Sequence, residues 1–248
     1  MGRRATAAAR GVAILVAAAA MLVDPRAATG DGSSPSLIAK GRALYLTGCQ
    51  SCHGTEASGV PGVAPTLQGV GASAADFVLT TGRMPLPAPD QQPVRRTPAY
   101  TPAEIDALVA YVGSLGGPPV PGVSLAGTDL SRGMQAFMLD CAGCHQALGR
   151  GGVVTGASVP DLASASPRQI AEAVRLGPYL MPAFGPRAVD DRTLADIIRY
   201  VIWARSPHDP GGAALGHAGP VSEGMAAWLG GLFALVVFAR LVGKRWQP

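Results

Sequence analysis

All four cysteines of this 248-residue chain fall in two C-x-x-C-H runs, Cys49-Gln50-Ser51-Cys52-His53 and Cys141-Ala142-Gly143-Cys144-His145. That spacing suits c-type haem. Two thiols reach the two vinyl groups of one porphyrin, and the adjacent imidazole binds its iron. With every thiol used in this way, none remains for a disulfide framework or another metal site. Two rival chemistries also use paired cysteines. Four thiolates can close around one tetrahedral zinc, but a histidine directly after each pair argues against that reading. A thioredoxin-like dithiol needs a βαβ context that neither stretch offers. The runs therefore predict two covalent haem c groups, one on Cys49 and Cys52 and one on Cys141 and Cys144, with His53 and His145 as axial iron ligands.

The sequence around the motif is duplicated as well. Gly41 and Tyr45 precede Cys49 with the same spacing by which Gly133 and Phe137 precede Cys141. A glycine on each of these helices permits close approach by a second helix. Ser34-Pro35 supplies an N-cap and N1 pair for the first of them, whose apolar positions are Leu37, Ile38, Leu44 and Tyr45. The partner helix is announced by Thr101-Pro102-Ala103-Glu104, a capping box with proline at N1. Ile105, Leu108, Val109 and Val112 follow at i, i+3, i+4 and i+7, with Tyr111 near the same face. Leu194, Ile197, Ile198 and Val201 repeat that set, with Tyr200 in the place of Tyr111. Residues 54–98 are rich in glycine and proline, with only a short helix around Ala74 to Thr80. A buried macrocycle can replace the core such a segment lacks. Gly116 to Gly122 breaks every regular pattern and reads as a linker. Two similar domains follow, residues 34–117 and 124–208.

Composition matters chiefly for the ends. The chain is 48% hydrophobic and 15% charged, apolar for a soluble protein. Its formal net charge is +4, yet residues 31–222 hold 13 Lys/Arg against 14 Asp/Glu. The basic excess flanks two apolar segments, and no phosphate-binding groove or nucleic-acid partner is implied. Residues 1–30, with an apolar run from Gly11 to Val23 behind Arg3, Arg4 and Arg10, read as a signal peptide or an N-terminal membrane anchor. Residues 209–222 form a Gly-rich tether, and residues 223–243 are predicted to be a transmembrane helix. Arg240 near its end can snorkel toward Lys244 and Arg245. Positive flanks at both termini predict a cytoplasmic C-terminus and haem domains on the extracytoplasmic face of the cell membrane.

The sixth iron position decides between electron transfer and substrate chemistry. A thioether closes the site and raises the potential; an open position suits peroxide or oxygen. Met84 and Met181 lie 31 and 36 residues after His53 and His145, and each precedes a proline. The repeated Met-Pro context, on a stiffened loop, marks these two as axial ligands. Met134 and Met138 read instead as gap-filling core residues. His208 and His217, at or in the tether, read as solvated linker residues. Arg83, Arg95 and Arg96 are exposed loop charges that need neither a haem propionate nor a partner. The Pro-rich insertion from Pro85 to Pro98 is either a docking loop or a tolerated surface loop.

The duplicated Gly41…Tyr45…Cys49-x-x-Cys52-His53-Gly54 pattern, Thr81-Gly82-Arg83-Met84-Pro85, Pro210-Gly211-Gly212 and Glu223-Gly224-Met225-Ala226 resemble the dihaem cytochrome c subunit of the actinobacterial cytochrome bc1 complex, over the whole chain. The resemblance implies a mostly α fold: two tandem class I cytochrome c domains plus a C-terminal transmembrane helix. It also implies a place in a menaquinol-oxidising reductase (translocase) beside cytochrome b and the Rieske iron-sulfur subunit. Electrons would pass from the Rieske centre to the first haem (Cys49, Cys52, His53, Met84), then to the second (Cys141, Cys144, His145, Met181), then to an aa3-type oxidase. A dihaem subunit of a periplasmic dehydrogenase or another oxidase shares every local feature, and a dihaem peroxidase needs an open haem that the paired Met-Pro signals disfavour.

Overall fold

The computed structural model describes residues 34–154, 156–207 and 220–244. The segment predicted as leader, most of the tether, and His208 and His217 lie outside the described residues. The chain divides at Ile202 and Trp203 into two compact units.

In the first unit, α1 (Pro35–Gly48) starts where predicted, with the Ser34 hydroxyl accepting from the Leu37 amide. A four-residue α2 (Gln50–His53) carries the first motif, followed by α3 (Gly71–Thr80) and α4 (Pro102–Ser114). Glu104 closes the predicted capping box by accepting from the Thr101 amide at 2.8 Å. The second repeat supplies α5 (Leu130–Asp140), α6 (Ala142–His145), α7 (Pro167–Leu176) and α8 (Asp191–Ala204). A short antiparallel hairpin, β1 (Gly152–Val154) with β2 (Ala157–Val159), pairs Val153 with Ser158. No strand is expected here from the sequence, because three-residue strands give too little alternation to detect.

The α1/α4 crossing explains the duplicated glycine. A Cβ on Gly41 would fall 1.9 Å from the Ala107 carbonyl oxygen, and one on Gly133 would fall 2.0 Å from that of Asp196. Only hydrogen fits at either crossing. Aromatic pairs lock both, Tyr45 against Tyr111 and Phe137 against Tyr200, each with centroids 5.2 Å apart and tilted rings. Ile105, Leu108 and Val112 are buried on α4, as are Leu194, Ile197, Ile198 and Val201 on α8. Met134 and Met138 depart from expectation: both are exposed. Helix α5 turns Gly133 and Phe137 inward, so side chains one position further on point about 100° away.

The repeats meet through α3 and α7. Arg95, in the Pro-rich insertion, donates to the Ser164 carbonyl at 3.0 Å and to Gln169 at 3.1 Å, and Gln169 donates to Thr80 at 3.2 Å. That insertion is thus a strap between the repeats, and Arg95 is engaged rather than free.

The second unit contains α9 (Pro220–Lys244). Within it, Gly224–Gly243 has a mean hydropathy of 2.0 and leaves Trp228, Phe233 and Phe238 exposed. Twenty helical residues span about 30 Å, the hydrocarbon thickness of a bilayer. It is the one helix among the described residues long and apolar enough to cross a membrane.

Candidate functional site

Each C-x-x-C-H run is presented by the same backbone device. Cys49 caps α1, its amide donating to the Tyr45 carbonyl at 2.8 Å, and the amides of Cys52 and His53 fold back onto the Cys49 carbonyl. Cys141 caps α5 in the same way, with Cys144 and His145 returning to its carbonyl at 3.1 and 2.9 Å. One turn of helix therefore sets both thiols and the imidazole of each run in a fixed order. All four thiols are unbridged. No cluster of three or more His, Cys, Asp or Glu side chains suited to a metal ion occurs among the described residues, so the two pairs do not converge on a four-thiolate zinc site.

The electrostatics fit haem chemistry. Burial pushes the Cys141 thiol up to about 11, with Asp140 and Cys144 adding to it; burial also raises Cys49, against a hydrogen bond from Tyr100. These are neutral thiols. They lack the depressed pKa of a nucleophilic dithiol. His53 Nδ1 lies 2.9 Å from the Pro65 carbonyl oxygen. A carbonyl can only accept, so Nδ1 carries the proton and Nε2 keeps its lone pair for a metal. Burial holds His145 below the ordinary imidazole value, the Pro160 carbonyl opposing, and the neutral ring is the ligand form. The donor set of each repeat thus fits haem c. Pro65 was invisible to sequence reasoning because it acts through a backbone carbonyl that every residue carries.

The predicted sixth ligands follow α3 and α7. The amides of Arg83 and Met84 both donate to the Val78 carbonyl, at 2.8 and 3.1 Å, and Met84 packs against the core that contains Tyr45 and Leu108. The Met84-Pro85 peptide is cis. Gly82 has φ +64°, and the Arg96 backbone lies where its Cβ would be, so this turn demands glycine. Met181 sits on the equivalent loop, its amide donating to Pro178 and that of Phe184 to Val174 on α7. Both methionines are half-buried. Arg83 is not the exposed charge expected: it is 9% exposed and lies 5.0 Å over the Phe77 ring, with burial lowering its pKa. A cation–π contact offsets part of that desolvation.

Tyrosine hydroxyls brace both motifs from opposite helices. Tyr45 on α1 donates to the Gly54 carbonyl, whereas in the second repeat Tyr200 on α8 donates to Ala147 at 2.7 Å and Phe137 has no hydroxyl.

The two repeats also match known families by sequence. The family model for cytochrome c matches residues 38–116, and that for the cbb3-type cytochrome c oxidase subunit III matches residues 128–201. The cytochrome bc1 complex cytochrome c subunit of Mycobacterium tuberculosis (strain CDC 1551 / Oshkosh) is 40% identical over 252 residues, covering 95% of this chain and 90% of that protein. The subunit of the same description from Corynebacterium diphtheriae is 37% identical over 267 residues, 98% of this chain and 95% of that one. The cbb3-type cytochrome c oxidase subunit CcoP of Rhodobacter capsulatus is 32% identical over 145 residues, 52% of this chain and 47% of its own. The chain thus has two cytochrome c domains, binds haem c covalently and serves electron transport. With relatives of one description matched along almost their full length, the chain belongs to the family of actinobacterial cytochrome bc1 complex cytochrome c subunits.

Proposed function

We propose that this chain is a membrane-held dihaem relay within a quinol–cytochrome c reductase. Haem c supplies one-electron carriage when bound. Cys49 and Cys52 hold the first group and Cys141 and Cys144 the second, through thioether bonds. His53 and His145 would bind the iron through Nε2, and Met84 and Met181 would each supply a second protein ligand. The relay runs from the Rieske iron-sulfur centre to the first domain, the second domain and an aa3-type oxidase, with cytochrome b in the same complex. The α9 helix holds the chain in the cell membrane with its C-terminus cytoplasmic and the haem domains outside.

The observation that carries this reading is the recurrence of one device: a motif turn under a glycine helix crossing, then a helix leading into a Met-Pro loop. A closed thioether site favours electron carriage over substrate binding. The test is spectroscopic. A haemochrome assay on the purified chain should give two haems c, and ferrous wild-type protein should not bind carbon monoxide. Met84→Ala and Met181→Ala should each open one site to it; a variant that stays closed removes that methionine from the ligand set. Isolation in mild detergent should bring cytochrome b and a Rieske protein along, whereas co-isolation with a dehydrogenase would overturn the bc1 assignment.

A further inference from the structure

Glu172 on α7 is completely buried, and Asp76 on α3 is 3% exposed. The helices that carry them, α3 and α7, pack against one another where the two repeats meet. Both Glu172 oxygens and Oδ2 of Asp76 are buried with no hydrogen-bond partner, and after burial itself Asp76 is the acidic neighbour that raises the Glu172 pKa. Two carboxylates cannot both stay ionised that close together away from water. One proton between them removes the repulsion and gives the orphaned oxygens a donor.

The surroundings assign that proton to Glu172. Arg168 Nη1 lies 3.7 Å from Asp76 Oδ2, on the Asp76 side. Besides Asp76, Arg168 is the charged group that acts on Glu172. The other titratable groups nearby are engaged elsewhere or exposed. On α7, Arg175 binds the Phe184 and Val189 carbonyls and Asp191. On α4, which packs against α3, Glu104 is held in its capping box and Asp106 is exposed. Asp196 on α8 is paired with Arg132. Burial, then the hydrogen bond and charge of Asp76, push Glu172 up to about 9, with Arg168 opposing. A cleft of about 480 Å³ lined by Asp76, Thr80, Pro121, Arg168 and Gln169 opens on the Asp76 side of the pair.

We propose that Glu172 and Asp76 form a proton-binding site that joins the two repeats, a single carboxyl proton on Glu172, donated to Asp76, holding α7 against α3. The site matters because each helix leads into one of the two Met-Pro loops, through Val78 on α3 and Val174 on α7. Loss of the proton puts two charges into the contact and drives the helices apart, and the two Met-Pro loops separate with them. The sign follows from linkage. A carboxyl bound more tightly to its proton in the closed state favours closure at low pH, and closure weakens by about tenfold per pH unit between the exposed and buried pKa values. Gln169, Thr80 and Arg95 remain as uncharged or surface contacts, so the contact loosens at high pH without the repeats unfolding.

The test uses the full, haem-loaded chain in detergent. Infrared spectra at neutral pH should show a buried protonated carboxyl band that shifts in D2O and disappears on alkaline titration. Glu172→Gln, which keeps the shape and a donor but cannot ionise, should lack the band. Hydrogen exchange at strongly alkaline pH, referenced to α1, should be tenfold or more faster in α3 and α7 of the wild type and unchanged in Glu172→Gln. The proposal is overturned if the wild type has no such band, if the band survives in Glu172→Gln, or if both proteins lose α3 and α7 protection alike. Should Glu172→Gln not fold, the band and its titration in the wild type decide the matter.

Discussion

Gln146 occupies the position that Gly54 holds in the first repeat, directly after the motif histidine. Its backbone has φ 60° and ψ 164°, against φ 79° and ψ 157° at Gly54. That region is one in which a side chain costs about 1–3 kcal/mol. Gln146→Gly is therefore expected to stabilise the second domain by about 1 kcal/mol or more, measured by denaturant unfolding of the haem-loaded protein; an unchanged or lower midpoint would refute the strain. The turn that presents each motif was legible because a helix ends at the first cysteine of both runs. What the sequence hid at this scale was backbone acceptors, Pro65 and Ala147 above all, together with the exposure of Met134 and Met138 and the burial of Arg83. Those depend on which way a helix or loop is turned, and apolar character alone does not fix that.

At the scale of elements, the fold rests on two helix crossings with no room for a methyl group. Gly133→Ala places a Cβ 2.0 Å from a backbone carbonyl oxygen, where no side-chain rotation can relieve it. The helices must separate, at a cost of at least the ~1–3 kcal/mol typical of overpacking. Unfolding of Gly133→Ala and Gly41→Ala should show that loss, and Gly143→Ala, whose Cβ meets nothing within 4 Å, should sit near wild type. Equal midpoints for all three would remove the close crossing as the cause. These crossings were readable in advance, because glycine four residues before an aromatic recurs at the same distance from both motifs. Helix α7 was not, although Ser166-Pro167 with Gln169 forms a capping box that mirrors the one opening α4.

For the whole molecule, the division at Ile202 and Trp203 separates a haem-binding unit from a unit with the apolar α9. Ending the chain after residue 207 should move it from the membrane pellet to the soluble fraction after export, with its reduced haem c bands intact. A truncated chain that stays in the pellet would transfer the anchoring to the N-terminal segment. Loss of the bands would mean that the first unit needs the second in order to fold. The first unit supplies its own cores at Tyr45/Tyr111 and Phe137/Tyr200, which is why retention is expected. The Arg95 strap and the Asp76/Glu172 contact join its two repeats.

The sequence by itself determined the chemistry: four thiols, two imidazoles and two Met-Pro thioethers in a repeated order, with an apolar helix at one end. Those are local patterns, and the spacing of reactive groups along a chain survives whatever the fold does with it. Only the tertiary structure decided which parts of the two repeats meet. Asp76 and Glu172 are 96 residues apart and ordinary acids when read singly. Packing α3 against α7 takes both from water together, and that shared desolvation turns two surface-type residues into one proton site.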